Sequence, residues 1–334
     1  MLNNLKVGLA YTPYEIDSPT PEELYNAKKM EIAVKCIKKA LESSGCQTIL
    51  LPVDENFLAN VQQEKPDLIF NYSTGVQEKN SQVITAALLE KTGLPFTSSS
   101  MKAHFTALYK DLTKYTLLGK GIPTPSFQVF NHYEEELRKD LSFPLFVKPL
   151  HEGASFGIDY NSVVRNHLQL REKVREIHIR YQQAALVEEF VPGREFTVGI
   201  WGNEQPEILP VLELRFNNID NINTQQNKNT RSMQQICPAF IPDDIHKKIK
   251  GLAIKAYKAI GCSDYARVDL RMTNEGKIYV IELNTLPSLK ADRSSFITMA
   301  RAAGIEYNEI IKRIVSLALE RHYVDRMKEK VPGI

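Results

Sequence analysis

Two stretches of alternating sequence, Ala266–Met272 (ARVDLRM) and Ile278–Asn284 (IYVIELN), are the most informative about the fold of this chain. Apolar and polar residues alternate within each stretch, which is typical of a half-buried β-strand. The residues between them, Thr273–Gly276, form a turn signal, because Gly276 can adopt the positive φ that tight turns require. The sequence therefore predicts a β-hairpin at this position.

The predicted hairpin has polar residues two positions apart on each strand. Residues two apart share one face of a strand, so Arg267 lies beside Asp269, and Glu282 lies beside Asn284. If the two faces match, three oxygen-bearing side chains converge beside one guanidinium. Such oxygens are hard ligands suited to Mg²⁺, and a Mg²⁺ held in this way usually holds substrate phosphates too. The alternative is a hairpin whose polar face is simply solvated.

The bulk composition sets limits on the class of protein. The chain has 334 residues, which suggests two or three domains. A net charge of +2, with dispersed Lys and Arg residues, gives no reason to expect nucleic acid as a partner. The first residues lead straight into a strand-like run, and no apolar stretch is long enough to cross a bilayer. We therefore expect a cytoplasmic protein without a membrane partner. The cysteines lack metal-type or redox-type spacing and are expected to be reduced thiols: Cys36, Cys46, Cys237 and Cys262.

The first hundred residues alternate between strand-like and helix-like segments. Alternation of this kind predicts an α/β fold in which helices cover both faces of a parallel sheet. We expect a Rossmann-like first domain at residues 1–99. The expected strands are Lys6–Ala10, Gln47–Val53, Asp67–Tyr72 and Leu94–Thr97, and the expected helices are Pro21–Ser44 and Gln82–Thr92.

Two further domains are expected at residues 100–187 and 188–322, followed by a tail at 323–334. A segment rich in Asn, Gln and Thr, Asn217–Gln235, cannot bury a core, so it is either a disordered loop or a lid, and we predict a lid. The expected helices are Lys102–Gly119, Val164–Tyr181, Pro242–Ile260 and Tyr307–Arg321, and the expected strands besides the hairpin are Pro144–Lys148, Ala185–Val191, Glu195–Trp201 and Ile208–Leu214.

Lys148 ends a predicted strand and precedes a loop of small residues, Glu152–Gly157. Gly153 and Gly157 would let backbone N–H groups approach a phosphate closely, and Lys148 would offer a point charge to its oxygens. The loop is not a Walker A motif, because the Gly-Lys-Ser/Thr ending is absent and no helix follows at once. A plain strand and loop without a ligand is the alternative.

The next candidate is the strand Leu186–Val191, which contains two acids and an aromatic residue. Such a strand could line a flat heterocycle, whose exocyclic amine and ring nitrogen its backbone would bind. Glu195 could then accept hydrogen bonds from ribose hydroxyls. A sheet strand with an exposed acidic edge is the alternative.

Together, the order and spacing of these motifs resemble the ATP-grasp superfamily, specifically its D-alanine–D-alanine ligase branch. The resemblance covers nearly the whole chain. It implies an N-terminal α/β domain followed by two α+β subdomains that clamp ATP between antiparallel sheets. The supporting motifs are Gly93–Thr97 (GLPFT), Lys110–Lys114 (KDLTK), Gly121–Pro123, Lys148, Glu188–Val191, Gly193–Glu195, Arg267–Asp269, Glu282–Pro287 (ELNTLP) and Met299–Gly304 (MARAAG).

The resemblance implies an ATP- and Mg²⁺-dependent ligase whose small-molecule substrates are amino acids. One amino acid's carboxylate would attack the γ-phosphate of ATP to give an acyl phosphate, and the amine of a second would then attack the acyl carbon. Arg267 would steady the transferring phosphoryl group, Lys228 in the closing loop would contact phosphate, and Ser294 would bind the acceptor's carboxylate. The remaining implied contacts are Lys110, Lys148, Glu152, Gly153 and Ser155 at the phosphates, Glu188, Glu189, Phe190 and Val191 at adenine, Glu195 at ribose, and Asp269, Glu282 and Asn284 at Mg²⁺.

The chain departs from the family pattern where the family binds its first amino acid. Tyr11–Glu15 and Tyr72–Lys79 replace two family segments, Ala154 replaces a serine and Ser288 replaces a glycine. The ATP half is intact, whereas the first-substrate half is rebuilt. We therefore expect a related amino-acid ligase. The alternatives are a genuine D-alanine–D-alanine ligase and a regulatory ATP-binding protein that forms no bond. By analogy, the resemblance also implies a homodimer.

Overall fold

The computed structural model describes residues 2–13, 21–73, 81–151, 157–216, 218, 220–222, 233–292 and 294–330. Within these residues the chain forms one parallel and two antiparallel sheets, with helices packed against them. The predicted α/β fold, with a parallel N-terminal sheet followed by antiparallel sheets, is confirmed. No helix in the described ranges is both long and apolar enough to cross a membrane.

The first sheet has the strand order β2-β1-β3 and is parallel throughout. Helices cover both of its faces, because one hydrophobic cluster joins it to α1 and the C-terminal helix, and another joins it to α2 and α3. The expected strand at 94–97 is reduced to one bridge between Ile69 and Phe96, since Pro95 has no N–H to extend a ladder. The elements are β1 Lys6–Tyr11, α1 Pro21–Ser43, β2 Gln47–Pro52, α2 Phe57–Glu64, β3 Leu68–Asn71 and α3 Ser81–Thr92.

The second sheet has the antiparallel order β4-β7-β5-β6. The apolar face of α6, with Leu170, Val174 and Ile177, packs on it. Sequence reasoning missed β4 and β6, which are short. The elements are α4 Met101–Leu108, α5 Lys110–Gly119, β4 Phe127–Phe130, β5 Leu145–Pro149, β6 Val163–Val164, α6 His167–Tyr181 and β7 Ala185–Glu189.

The third sheet has the antiparallel order β11-β10-β8-β12-β13, with β9 paired to β8. One of its faces packs against α7, whose Ile249, Ala253 and Tyr257 are buried there, and the other packs against α8. The elements are β8 Arg194–Trp201, β9 Glu207–Ile208, β10 Leu212–Phe216, β11 Met233–Ile236, α7 Asp243–Ile260, β12 Tyr265–Met272, β13 Ile278–Asn284, α8 Ser295–Ala302 and α9 Tyr307–Lys330.

Further element predictions need correction, including the strand expected at 208–214, which is divided between β9 and β10. The helix expected at 102–119 is two helices, because Tyr109 has extended backbone angles between α4 and α5. The lid expected at 217–235 is wrong at its end, where residues 233–235 belong to β11 and pair with β10; residues 223–232 lie outside the described ranges. The last helix does not end near 321 but continues to Lys330.

Candidate active site

The hairpin of β12 and β13 brings the predicted polar residues onto one face. Arg267 lies opposite Asn284, and Asp269 lies opposite Glu282. The guanidinium of Arg267 donates to both carboxylate oxygens of Asp269, from Nε at 2.9 Å and from Nη2 at 2.7 Å. The register shifts between Asp269 and Leu270, as at a β-bulge. Bulges beside functional sites re-aim side chains. The matched faces expected from the alternation are therefore present.

The carboxylate of Asp269 accepts hydrogen bonds from three neighbouring side chains. In addition to the two bonds from Arg267, Thr197 Oγ1 lies 2.5 Å from Oδ1, and Asn284 Nδ2 lies 3.0 Å from Oδ2. A carboxylate has about four acceptor positions, so these bonds occupy all of them. The oxygens of Asp269, Glu282 and Asn284 suit Mg²⁺. Asp269 can bind the ion once a donor moves away, for example when the Asn284 amide turns to present its oxygen.

A cleft borders the end of β13 and contains Lys110 together with two of the metal-type residues. The backbone N–H of Lys110 donates to the carbonyl of Leu150 at 3.2 Å, and its Nζ donates to the carbonyl of Pro149 at 3.2 Å. The break at Tyr109 places Lys110 at the first position of α5, next to the end of β5. The lining residues are Gln82, Ala107, Leu108, Lys110, Glu282, Leu283, Asn284, Thr285 and Leu286.

Lys148 does not stand alone at the end of β5, because it belongs to a buried ion triad. Its Nζ lies 2.6 Å from Glu188 Oε1, while Lys114 Nζ lies 2.6 Å from Glu188 Oε2. Burial alone would raise the pKa of Glu188, but the two ammonium groups outweigh it and hold that pKa at about 2. Burial lowers the pKa of Lys114 to about 8, against the opposing effect of Glu188. The carboxylate of Glu188 is thus ionised and engaged by lysines, and its expected contact with adenine stays a prediction.

The residues expected at adenine and ribose lie at the end of β7, in the turn after it and at the start of β8. The ring of Phe190 is stacked with that of Phe146 at a centroid distance of 6.5 Å. The carboxylate of Glu195 accepts a hydrogen bond from Arg271 Nη1 at 2.9 Å. Burial raises the pKa of Glu195 to about 7; Arg271 opposes this rise, whereas the negative charges of Asp269 and Glu282 add to it. Glu195 therefore lies within the electrostatic influence of the hairpin carboxylates.

Comparison with known proteins identifies the family. Residues 117–316 match the model described as the D-ala D-ala ligase C-terminus. A D-alanine–D-alanine ligase of Pelotomaculum thermopropionicum is 30% identical over 95% of this chain and 97% of its own, and one of Desulforamulus reducens is 36% identical over 70% and 76%. This chain belongs to the D-alanine–D-alanine ligase family.

Two other relatives extend this picture. An uncharacterized protein of Sinorhizobium fredii is 32% identical over 85% of this chain and 86% of its own. The crystal structure of a D-alanine–D-alanine ligase from Bacillus anthracis, complexed with ATP, has a TM-score of 0.76 at 21% identity and covers 96% of this chain and 99% of its own. Members of the family are ATP-dependent, ADP-forming ligases of the ATP-grasp fold, and Mg²⁺ is their typical metal. The chain is therefore such a ligase, and the predictions of ATP and Mg²⁺ are confirmed at the level of the family.

Several residues expected in the family's site are separate from this cluster or outside the described ranges. Ser294 lies at the N-cap of α8, where its Oγ donates to the carbonyl of Lys290 at 3.0 Å. The positions that lie outside the described residues are Glu152, Gly153, Ser155 and Lys228. Their roles stay predictions.

Sequence reasoning missed four polar residues around the site: Lys114, Thr197, Arg271 and His104. Lys114 could have been found, because it lies four positions after Lys110 and therefore on the same helix face. Thr197 and Arg271 face their partners only through the pairing of β8 with β12. His104 is fully buried, and its Nδ1 lies 2.7 Å from Thr285 Oγ1, next in sequence to Asn284. No local pattern predicts that contact.

Proposed function

We propose that this enzyme joins two amino acids through an acyl-phosphate intermediate. A carboxylate oxygen of the first amino acid attacks the γ-phosphorus of ATP, and ADP leaves. The amine of the second then attacks the acyl carbon, the amide bond forms, and inorganic phosphate and a proton are released. Phosphoryl transfer requires positioned charge more than covalent help from the protein.

The observation that supports this proposal best is the shared cleft. Lys110 lines it together with Glu282 and Asn284, and Asp269 and Arg267 lie on the same hairpin face. In the proposal, Lys110 and Lys148 bind phosphate oxygens, and Asp269, Glu282 and Asn284 hold Mg²⁺, which would neutralise phosphate charge. Arg267 offers a guanidinium to the transferring phosphoryl group, and such preorganised charge stabilises the transition state.

The proposal includes a first substrate other than D-alanine, because of the rebuilt region. Around it, hydroxyl groups bond to one another: Thr12 Oγ1 lies 2.7 Å from Ser73 Oγ, which lies 3.0 Å from Thr85 Oγ1. Burial raises the pKa of the Tyr72 phenol, and the nearby side chain of Ser288 opposes that rise. Ser288 therefore lies next to the rebuilt N-terminal side, which is consistent with a reshaped substrate pocket.

An assay with amino-acid pools tests the proposal. The protein is incubated with ATP, Mg²⁺ and D- or L-amino acids, singly and in pairs, and ADP and phosphate are measured with the coupled product. A ligase releases ADP and phosphate in step with a dipeptide, and only when both substrates are present. ATP binding without turnover in any pool would favour a regulatory ATP-binding protein instead.

A second candidate is D-alanine–D-alanine ligation itself, because curated relatives at 30–36% identity have that name. Saturable phosphate release with D-alanine alone, and D-alanyl-D-alanine as the main product, would establish this activity. It would also refute the proposal of a different first substrate. We further propose a cytoplasmic homodimer with units at 1–99, 100–187 and 188–322; light scattering tests the assembly, and limited proteolysis tests the boundaries.

A further inference from the structure

Arg271 is a buried guanidinium two residues beyond Asp269 on β12, with 7% of its surface exposed. It lies opposite Glu195 on β8. Its Nη1 donates to Glu195 Oε2 at 2.9 Å, and its Nε donates to the carbonyl of Val191 at 2.8 Å. The guanidinium carbon also lies 5.4 Å from the centre of the Phe190 ring. One side chain therefore contacts three residues of the proposed adenine and ribose site.

The same guanidinium reaches a second segment. Its Nη1 donates to the carbonyl of Asn221, which follows β10, at 3.0 Å, and its Nη2 lies 3.4 Å from the carbonyl of Gly193. The side-chain amide of Asn221 also contacts the turn after β7, because its Nδ2 donates to the carbonyl of Gly193 at 2.8 Å. The guanidinium of Arg271 therefore binds the carbonyls of Val191, Gly193 and Asn221 together.

Close packing reinforces the position of this turn. Gly193 has a φ of +127°, and a Cβ at that position would lie 2.2 Å from the carbonyl oxygen of Met272, the residue after Arg271. Only glycine can hold the turn this close to β12. Residues 190–193 lie between β7 and β8, so side-chain donors must replace part of the ladder bonding that strands have. A guanidinium suits this role because it presents five N–H donors in a fixed plane.

We propose that Arg271 is a positioning residue for the nucleoside half of ATP, fixing the turn at residues 190–193 and the start of β8 against Asn221 so that adenine and ribose meet preformed partners. This inference rests on the proposed function, since it takes ATP to bind along this turn. In the proposed division of the site, Lys110 and Lys148 bind the phosphates, whereas the hydrogen bonds of Arg271 go to Val191, Gly193, Glu195 and Asn221. Loss of Arg271 should therefore weaken binding of the nucleoside but not of a bare phosphate chain.

Isothermal titration calorimetry of the whole chain, with Mg²⁺ and two probes, tests whether Arg271 affects binding of the nucleoside and not of the phosphates. One probe is a non-hydrolysable ATP analogue, and the other is inorganic tripolyphosphate. Arg271→Met should lower the affinity for the ATP analogue by roughly tenfold, the equivalent of about one lost charge-assisted hydrogen bond. The affinity for tripolyphosphate should stay within about twofold of the wild-type value. Arg271→Lys keeps the charge but lacks the planar fork, so it should not restore analogue affinity. In turnover, KM for ATP should rise more than KM for either amino acid.

Arg215→Met is the matched control, since Arg215 lies in the same sheet and forms an ion pair with Glu213 at 3.1 Å; it should bind both probes like the wild type. If Arg271→Met fails to fold, Asn221→Ala replaces it, because this change removes the hydrogen bond to Gly193. Asn221→Ala should lower the affinity for the analogue but not for tripolyphosphate. The inference would be overturned if a folded Arg271 or Asn221 variant lost affinity equally for both probes, or if its affinity for the analogue were unchanged. Either result would leave the proposed function intact. A wild-type protein that binds tripolyphosphate but no ATP analogue would overturn both.

Discussion

Removing Lys114 should destabilise the protein through the buried triad. Lys114 and Lys148 each lie 2.6 Å from one oxygen of Glu188, and the side chains of Lys114 and Glu188 are 0% and 4% exposed. Breaking a buried ion pair by removing one partner costs about 3–5 kcal/mol. Lys148 still compensates Glu188 in Lys114→Met, so we expect the lower end, about 3 kcal/mol. The bonds from Lys114 to Thr124 at 2.9 Å and to Pro125 at 3.2 Å are also lost.

The same substitution should weaken nucleotide binding. In the wild type, two positive charges and one negative charge leave a net charge of +1 in the triad. In Lys114→Met the charge of Lys148 is fully balanced by Glu188, so it attracts phosphate less. We expect the ATP analogue to bind roughly tenfold more weakly, which corresponds to about 1.4 kcal/mol.

Urea unfolding followed by circular dichroism, together with calorimetric titration, measures both effects. Lys120→Met is the matched control, because Lys120 lies at the exposed end of the same helix and should change neither quantity. Glu188→Gln alone leaves two buried ammonium groups without a carboxylate, whereas the double variant Lys114→Met, Glu188→Gln leaves only one, so it should be more stable than the sum of its single variants implies. A loss below about 1 kcal/mol in Lys114→Met, or strict additivity in the double variant, would show that the triad does not stabilise the fold in this way.

Three further predictions concern the hairpin and its neighbours. Glu282→Gln should abolish ADP formation with little change in melting temperature, because it removes one proposed metal ligand; normal turnover in a coupled ADP assay would end that assignment. Thr197→Val should lower ADP formation by disordering Asp269, measured against Thr48→Val as a control in the N-terminal sheet, and equal rates would contradict it. Burial lowers the pKa of His104 from 6.5 to about 4, so the unfolded chain binds an extra proton between these values and the unfolding free energy should fall as pH drops from about 6.5 to 4, by up to about 3 kcal/mol. Urea curves of His104→Gln should lack this part of the pH dependence, and identical pH profiles would count against the assignment.

Local patterns in the sequence were enough to predict the strands of the β12–β13 hairpin and the matched faces of Arg267, Asp269, Glu282 and Asn284. Alternation with period two is a local property, and the turn at Gly276 leaves few ways to pair the strands. The parallel first sheet also followed from local patterns, since short strands that alternate with amphipathic helices have few other ways to bury their apolar faces. The order of the motifs proposed for phosphate, adenine and metal also indicated the family, because order along the chain is visible in the sequence.

The partners that surround those residues follow from tertiary packing and not from local sequence patterns. Lys114 and Lys148 meet at Glu188 because β5 pairs with β7 and α5 packs nearby, although Lys114 and Glu188 are 74 positions apart in the sequence. The contacts of Arg271 with Val191 and Asn221 likewise join segments 80 and 50 positions away. The register shift after Asp269 is likewise a property of the paired strands β12 and β13. The pKa values of Glu188 and Glu195 depend on burial and on the balance of nearby charges. Burial and this charge balance arise only after distant segments have packed together.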